Sequence, residues 1–128
     1  MGQSGQPQAA GKQGNQFELQ TWFFMRVSGL LLVFLLLGHV FIMTVLNDLS
    51  DISYAFVADR WAKPFWRVYD GLLLFLGMLH GANGVRWVID DYVRHRGWRV
   101  FARSVLYTVT FIIIVAGTTI LLVFQPVQ

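Results

Sequence analysis

The chain has 128 residues, of which 55% are hydrophobic and only 13% charged, and it carries a formal net charge of +3 at neutral pH. With a mean hydropathy of +0.53, this composition excludes an ordinary soluble domain and indicates an integral membrane protein. The lack of cysteine excludes disulfides, thiolate zinc sites and iron–sulfur ligation by this chain, and anionic lipid head groups account for the positive charge without nucleic acid.

Residues 1–20 are rich in Gln and Gly, bury too little apolar surface to fold alone, and are expected to form a flexible tail ahead of a transmembrane domain at 21–128. Three stretches can span a bilayer, at about 22–46, 65–89 and 101–124; each exceeds the roughly 20 residues that carry a helix across hydrocarbon. Helices are required, because open strands would leave backbone amides unpaired in lipid. The first span is too long for a cleavable signal and has no small-residue cleavage pattern after it. Between the first two spans, Asn47 to Lys63 mixes Ile52, Tyr54, Phe56, Val57 and Trp61 with Asp51, Asp59 and Arg60, as an amphipathic segment lying in the interface does. Pro64 suits the first turn of the second helix. In the third span, Thr110 and Gly117 make a small-residue face suited to helix packing. The expected fold is all-α, an antiparallel up-and-down bundle of three transmembrane helices.

Basic residues orient the bundle. Arg86, Arg94, Arg96, Arg99 and Arg103 flank the second connection, and Lys12 and Arg26 lie beside the first span's amino end. Across the membrane, Arg60, Lys63 and Arg67 are mixed with Asp48, Asp51, Asp59 and Asp70. The amino terminus is therefore expected in the cytoplasm and the carboxyl terminus outside.

The chemistry lies in the first two spans. His80 sits mid-span, and Gly77, His80, Gly81, Gly84, Val88 and Asp91 share one helical stripe, with Tyr92 next to Asp91 at the span's end. An intramembrane histidine is functional by default. The glycine groove has room for a flat macrocycle, and neutral imidazole is a good iron ligand, so a haem b is expected there. The alternatives are a hydrogen-bonded packing histidine and a small-residue helix contact at Gly77 and Gly81. In span one, Ser28 and His39 are eleven residues apart on one side, about 16 Å along the axis. The antiparallel arrangement is expected to bring both histidines to comparable depth and to gather Ser28, Asp91 and Tyr92 at the cytoplasmic boundary. His39 reads about equally as a second histidine ligand or as a packing residue. Arg26 reads as a residue snorkelling to head groups, as a partner for a haem propionate or as a donor to a quinone oxygen. Tyr92 can donate a hydrogen bond and Asp91 can relay protons; both can equally be ordinary loop-start residues.

These residues resemble the small hydrophobic membrane-anchor subunits, cytochrome b type, of succinate dehydrogenase (succinate:quinone oxidoreductase, complex II) and of the related fumarate reductases. The likeness rests on three spans in this length, on Arg26-Val27-Ser28-Gly29 opening the first, and on His80 followed after ten residues by Asp91-Tyr92 closing the second. It covers about Phe17 to Phe124. The resemblance implies a companion anchor, a flavoprotein and an iron–sulfur partner on the cytoplasmic side of a bacterial plasma membrane, and electron transfer from succinate to quinone beside one haem b, or two. It implies His80 as axial haem ligand, Tyr92 as hydrogen-bond donor to a quinone carbonyl and Asp91 as its neighbour in proton delivery. Arg26 and Ser28 match a tetrapeptide of the companion anchor type, where this region lies near quinone and propionates. His39 fits the distal ligand of two-haem members.

Two other functional classes compete. A haem-free structural tether would make His80 replaceable. A transporter or proton channel would place an acidic residue deep in a span, whereas Asp70 sits near the outer end of the second.

Overall fold

The computed structural model describes residues 10–124, with side chains from residue 16 onward. The long helices α1 (Ala10–Thr44), α3 (Pro64–Tyr92) and α4 (Arg96–Val123) are joined by a connection carrying a 3-10 turn at Leu49–Asp51 and the short helix α2 (Tyr54–Ala62), and by the brief link between α3 and α4. Stretches of all three long helices, Gln16–Thr44, Pro64–Tyr92 and Arg96–Val123, are long and apolar enough to cross a membrane. The expected three-helix architecture is therefore observed, with no strand among the described residues.

The helix ends differ from the hydropathy boundaries. α1 begins at Ala10 rather than near Trp22, so helix occupies residues 10–20, where a flexible tail was expected; residues 1–9 lie outside the described residues. α3 and α4 likewise run beyond 89 and start before 101. Hydropathy marks where hydrocarbon begins, whereas a helix continues into the head-group layer until its backbone pairing is broken. Here the breaks are local. The Ser53 hydroxyl accepts from the Phe56 N–H at 3.3 Å to start α2, and Pro64 opens α3, where its missing N–H costs nothing. Asp48 caps the 3-10 turn by accepting from the Ser50 N–H at 3.1 Å, a bond that holds its carboxyl below the usual carboxylate value.

Burial is inverted relative to a soluble protein. The buried residues are Ala58, Ser28, Arg60 and Thr110, while Leu, Val and Phe side chains line the outside, as expected where lipid is the solvent. α3 is central, in contact with α1, α2 and α4. Small residues set these contacts: a Cβ on Gly117 would stand 2.7 Å from Leu74 Cδ2, and one on Gly71 would meet Leu121 at 3.8 Å. The α3–α4 link is held at its base by Arg103 on Asp90 and by Arg99 Nε donating to Val93 O at 2.9 Å. At the other end, Arg67 donates to Phe124 O at 2.8 Å, and the rings of Tyr54 and Trp61 rest on Phe124. The carboxyl end of α4 is thereby tied to α2 and α3.

The slide of α1 along α3 is set partly by Tyr69, whose hydroxyl donates to Leu35 O at 2.6 Å. It reaches that carbonyl only because residue 38 is glycine, where a Cβ would lie 2.9 Å from the hydroxyl. Gly38→Ala is expected to push the hydroxyl off Leu35 and destabilise the α1–α3 pair by about 1–2 kcal/mol, near the worth of the bond plus local strain. Tyr69→Phe should cost only about 1 kcal/mol. Thermal inactivation of the detergent-solubilised protein measures both, and a silent Gly38→Ala would show that the contact does not set the register.

Candidate functional site

His80 lies half-buried on α3 and Ser28 on the facing side of α1, 2% exposed. The Ser28 hydroxyl donates to Phe24 O at 2.6 Å, one helical turn back, and the same oxygen lies 2.9 Å from His80 Nδ1. Gly29 makes this approach possible: a Cβ there would stand 3.2 Å from His80 Cε1. The other ring nitrogen, Nε2, has no hydrogen-bond partner among the described residues. Beside His80, Gly77 and Gly81 open onto empty space, since a Cβ on either would meet nothing within 4 Å. Gly84 instead faces Met25 of α1. The predicted glycine stripe thus divides into an open stretch around His80 and a packed one nearer the α3 carboxyl end.

The register differs from expectation. Ser28 pairs with His80, so it stands about 18 Å along α3 from Tyr92, the twelve-residue separation at 1.5 Å each. It does not join Asp91 and Tyr92 at the boundary, and its hydroxyl is fully engaged where it is. His39 is accordingly about three turns away from His80 rather than level with it. Tyr92 ends α3, 81% exposed, next to exposed Asp91. Arg26 is exposed, with its guanidinium 4.2 Å above the Trp22 ring, a cation–π contact. The ion pair at this end belongs to Asp90 and Arg103.

His39 belongs to a second polar cluster, near the amino-terminal end of α3. Its Nδ1 lies 3.4 Å from Asp70 Oδ1, within ion-pair distance though not aligned as a hydrogen bond, and its ring stacks on Tyr69 with centroids 6.4 Å apart. Asp70 also accepts from Trp61 Nε1 at 2.8 Å and from Arg60 Nη2 at 3.3 Å. Arg60 is 7% exposed and lies 4.0 Å above the Trp66 ring. Arg60, Trp61, Tyr69 and Asp70 were visible in the sequence only as an interfacial mixture; the signal for the cluster is Asp70, one turn and a half inside Pro64 and ten residues from Arg60. A further recess of about 390 Å³ opens between α1, α3 and α4 beside Phe24, Asn83 and Tyr107. The Asn83 side-chain nitrogen has no partner there, while its oxygen accepts from Arg86 Nε at 3.0 Å.

Among the described residues no group of three or more His, Asp or Glu could hold a bare metal ion. His80 Nε2, with the open space that Gly77 and Gly81 leave beside it, is a donor that would suit a metal carried in a flat macrocycle.

The family described as succinate dehydrogenase/fumarate reductase transmembrane subunit matches residues 8–122. The succinate dehydrogenase hydrophobic membrane anchor subunit of Archaeoglobus fulgidus is 30% identical over 95 residues, covering 72% of this chain and 77% of that protein. With three spanning helices and a match over nearly its whole length, the chain belongs to the transmembrane-subunit family of succinate dehydrogenase and fumarate reductase, and is a membrane anchor of that class.

Proposed function

We propose that this anchor, with a companion anchor, holds the flavoprotein and iron–sulfur subunits at the cytoplasmic face of the plasma membrane, supplies one axial ligand to a single haem b, and helps form the quinone site. The observation that carries the haem assignment is His80, with Nε2 free and Gly77 and Gly81 open beside it. Haem b supplies a one-electron carrier in the dry interior of the bundle. A second protein ligand would come from the companion anchor, because α3 offers the group only His80. Arg26, two residues before Ser28 and exposed, is free to swing from Trp22 to a propionate. Pyridine-haemochrome quantitation of the purified complex tests the reading: haem b is expected, and its absence would leave a structural tether.

His39 has its Nδ1 3.4 Å from Asp70 Oδ1 and its ring stacked on Tyr69, contacts that support a packing role and one haem rather than two. It is assigned to the Asp70 cluster.

The basic run from Arg94 to Arg103 and the α3 end at Tyr92 lie together, and the excess of positive charge supports a cytoplasmic side there, facing the soluble subunits and the quinone head group. As electrons reach a quinone its carbonyl oxygen gains negative charge, so a phenol donor stabilises the reduced forms more than the oxidised ring. Asp91, exposed beside Tyr92, exchanges protons with water and can return them to the oxygen. The apolar quinone tail remains in lipid. Tyr92→Phe is expected to slow quinone reduction at least tenfold, about the loss of one charge-assisted bond, while haem content and succinate oxidation with a soluble acceptor stay near wild type. Full quinone reductase activity in Tyr92→Phe would move the site to the companion anchor.

A further inference from the structure

Ser28 has one hydroxyl proton and two lone pairs. Its neighbour at 2.6 Å is the carbonyl of Phe24, which can only accept, so the proton points there. The contact at 2.9 Å to His80 Nδ1 must then run the other way: Nδ1 carries the ring proton and donates it to Ser28 Oγ. A neutral imidazole has one N–H, so Nε2 is left with a bare lone pair. Gly29 allows the ring to sit this close, its missing Cβ leaving Cε1 a clear path at 3.2 Å.

We infer that Ser28 and Gly29 are positioning residues for His80, locking the Nδ1–H tautomer and the ring's orientation so that Nε2 is preset as the ligating atom. This rests on the reading of His80 as a haem ligand and goes beyond it, since it takes Ser28 away from quinone binding and gives it to the ligand's outer hydrogen bond. A ligating histidine whose second nitrogen donates to an oxygen is a stronger donor and keeps its angle, and loss of such a partner costs metal affinity about 10–100-fold. The chain builds the partner from its own fold. An i to i−4 hydroxyl–carbonyl bond inside α1 fixes the hydroxyl rotor, and that fixed rotor dictates the proton's place on a different helix. Free choice of tautomer would waste a share of the population on an Nε2–H form that cannot bind iron.

Two measurements test the inference independently of catalysis. In the haem-free full chain in detergent, labelled with ¹⁵N-histidine, the His80 resonances should show a protonated Nδ1 and an unprotonated Nε2, and Ser28→Ala should shift the population toward Nε2–H. In the assembled complex, haem transfer to excess apomyoglobin should accelerate about 10–100-fold in Ser28→Ala, with the haem potential rising because a less basic ligand stabilises ferric iron less. Ser28→Thr, which keeps the oxygen, should restore the slower transfer, and Gly29→Ala should weaken haem retention with the hydroxyl intact. An Nε2–H tautomer in the unmodified chain, or unchanged tautomer and transfer rate in Ser28→Ala, would overturn it. If His80 were not the ligand at all, haem would survive His80→Ala while the tautomer remained as described, so the two failures are told apart. Should Ser28→Ala not assemble, the tautomer of the unmodified chain still decides.

Discussion

Replacement of His80 by alanine is expected to remove haem b from the complex entirely while leaving the complex assembled. No other imidazole can take its place. His39 is held about three turns away by Asp70 and Tyr69, and His95 lies past the end of α3, in the residue before α4. Without the His80 imidazole the group would lose a direct protein ligand, so affinity would fall by orders of magnitude rather than by a small factor. The fold should survive. His80 is half-buried and contributes one hydrogen bond to α1, whereas Tyr69 on Leu35 and Gly84 against Met25 hold the same helix pair from either side. Truncating a half-buried ring costs about 1–2 kcal/mol, too little to unfold a bundle that lipid and a companion subunit also support. Reduced-minus-oxidised spectra of the purified variant provide the measurement, with succinate oxidation by a soluble acceptor as the control for assembly. A full low-spin haem spectrum in His80→Ala would transfer both ligands to other chains.

What can be read from residues alone follows the physics that acts locally. Hydrocarbon thickness and the cost of unpaired amides dictate three helices, and the 3.6-residue repeat places Gly77, His80 and Gly81 on one stripe; all of this is present in the structure. The repeat also puts Ser28 and His39 on one side of α1, and both do face α3. Periodicity identifies a face but not how far one helix slides along another. That slide depends on side-chain reach: the Tyr69 phenol entering the notch at Gly38, and the His80 ring entering the notch at Gly29. Matching Ser28 to the charged end of α3, from the equal eleven-residue separations in two antiparallel helices, displaces α1 by three turns. The partners of Asp70 are illegible for a related reason. Near water a lone carboxylate needs no partner, and only the fold of α2 back over the bundle brings Arg60 and Trp61 onto it.

The same cluster carries the second large effect, on stability rather than on electron transfer. Asp70→Ala would leave Arg60 at 7% exposure with its anion gone, Trp61 Nε1 without its 2.8 Å acceptor, and His39 without its nearest charge. Breaking a buried pair by removing one partner costs about 3–5 kcal/mol. The Asp70 side chain keeps 15% exposure and sits near the amino-terminal end of α3, where water can reach in, so the lower end of that range, about 3 kcal/mol, is expected. His39→Ala should cost much less, about 1 kcal/mol or below, because its contact with Asp70 is unaligned and its ring is partly exposed. Asp70→Asn should fall between the two, since an amide oxygen can still accept from Trp61 but cannot balance Arg60. Thermal inactivation of the solubilised complex ranks the three, with haem content as a check that the inner site is untouched. The decisive variant is Asp70→Leu combined with Arg60→Met. If the loss in Asp70→Ala arises from a stranded charge, replacing both partners by apolar groups of similar size should recover most of it; a double variant as unstable as Asp70→Ala would assign the effect instead to the Trp61 hydrogen bond that anchors α2 on α3.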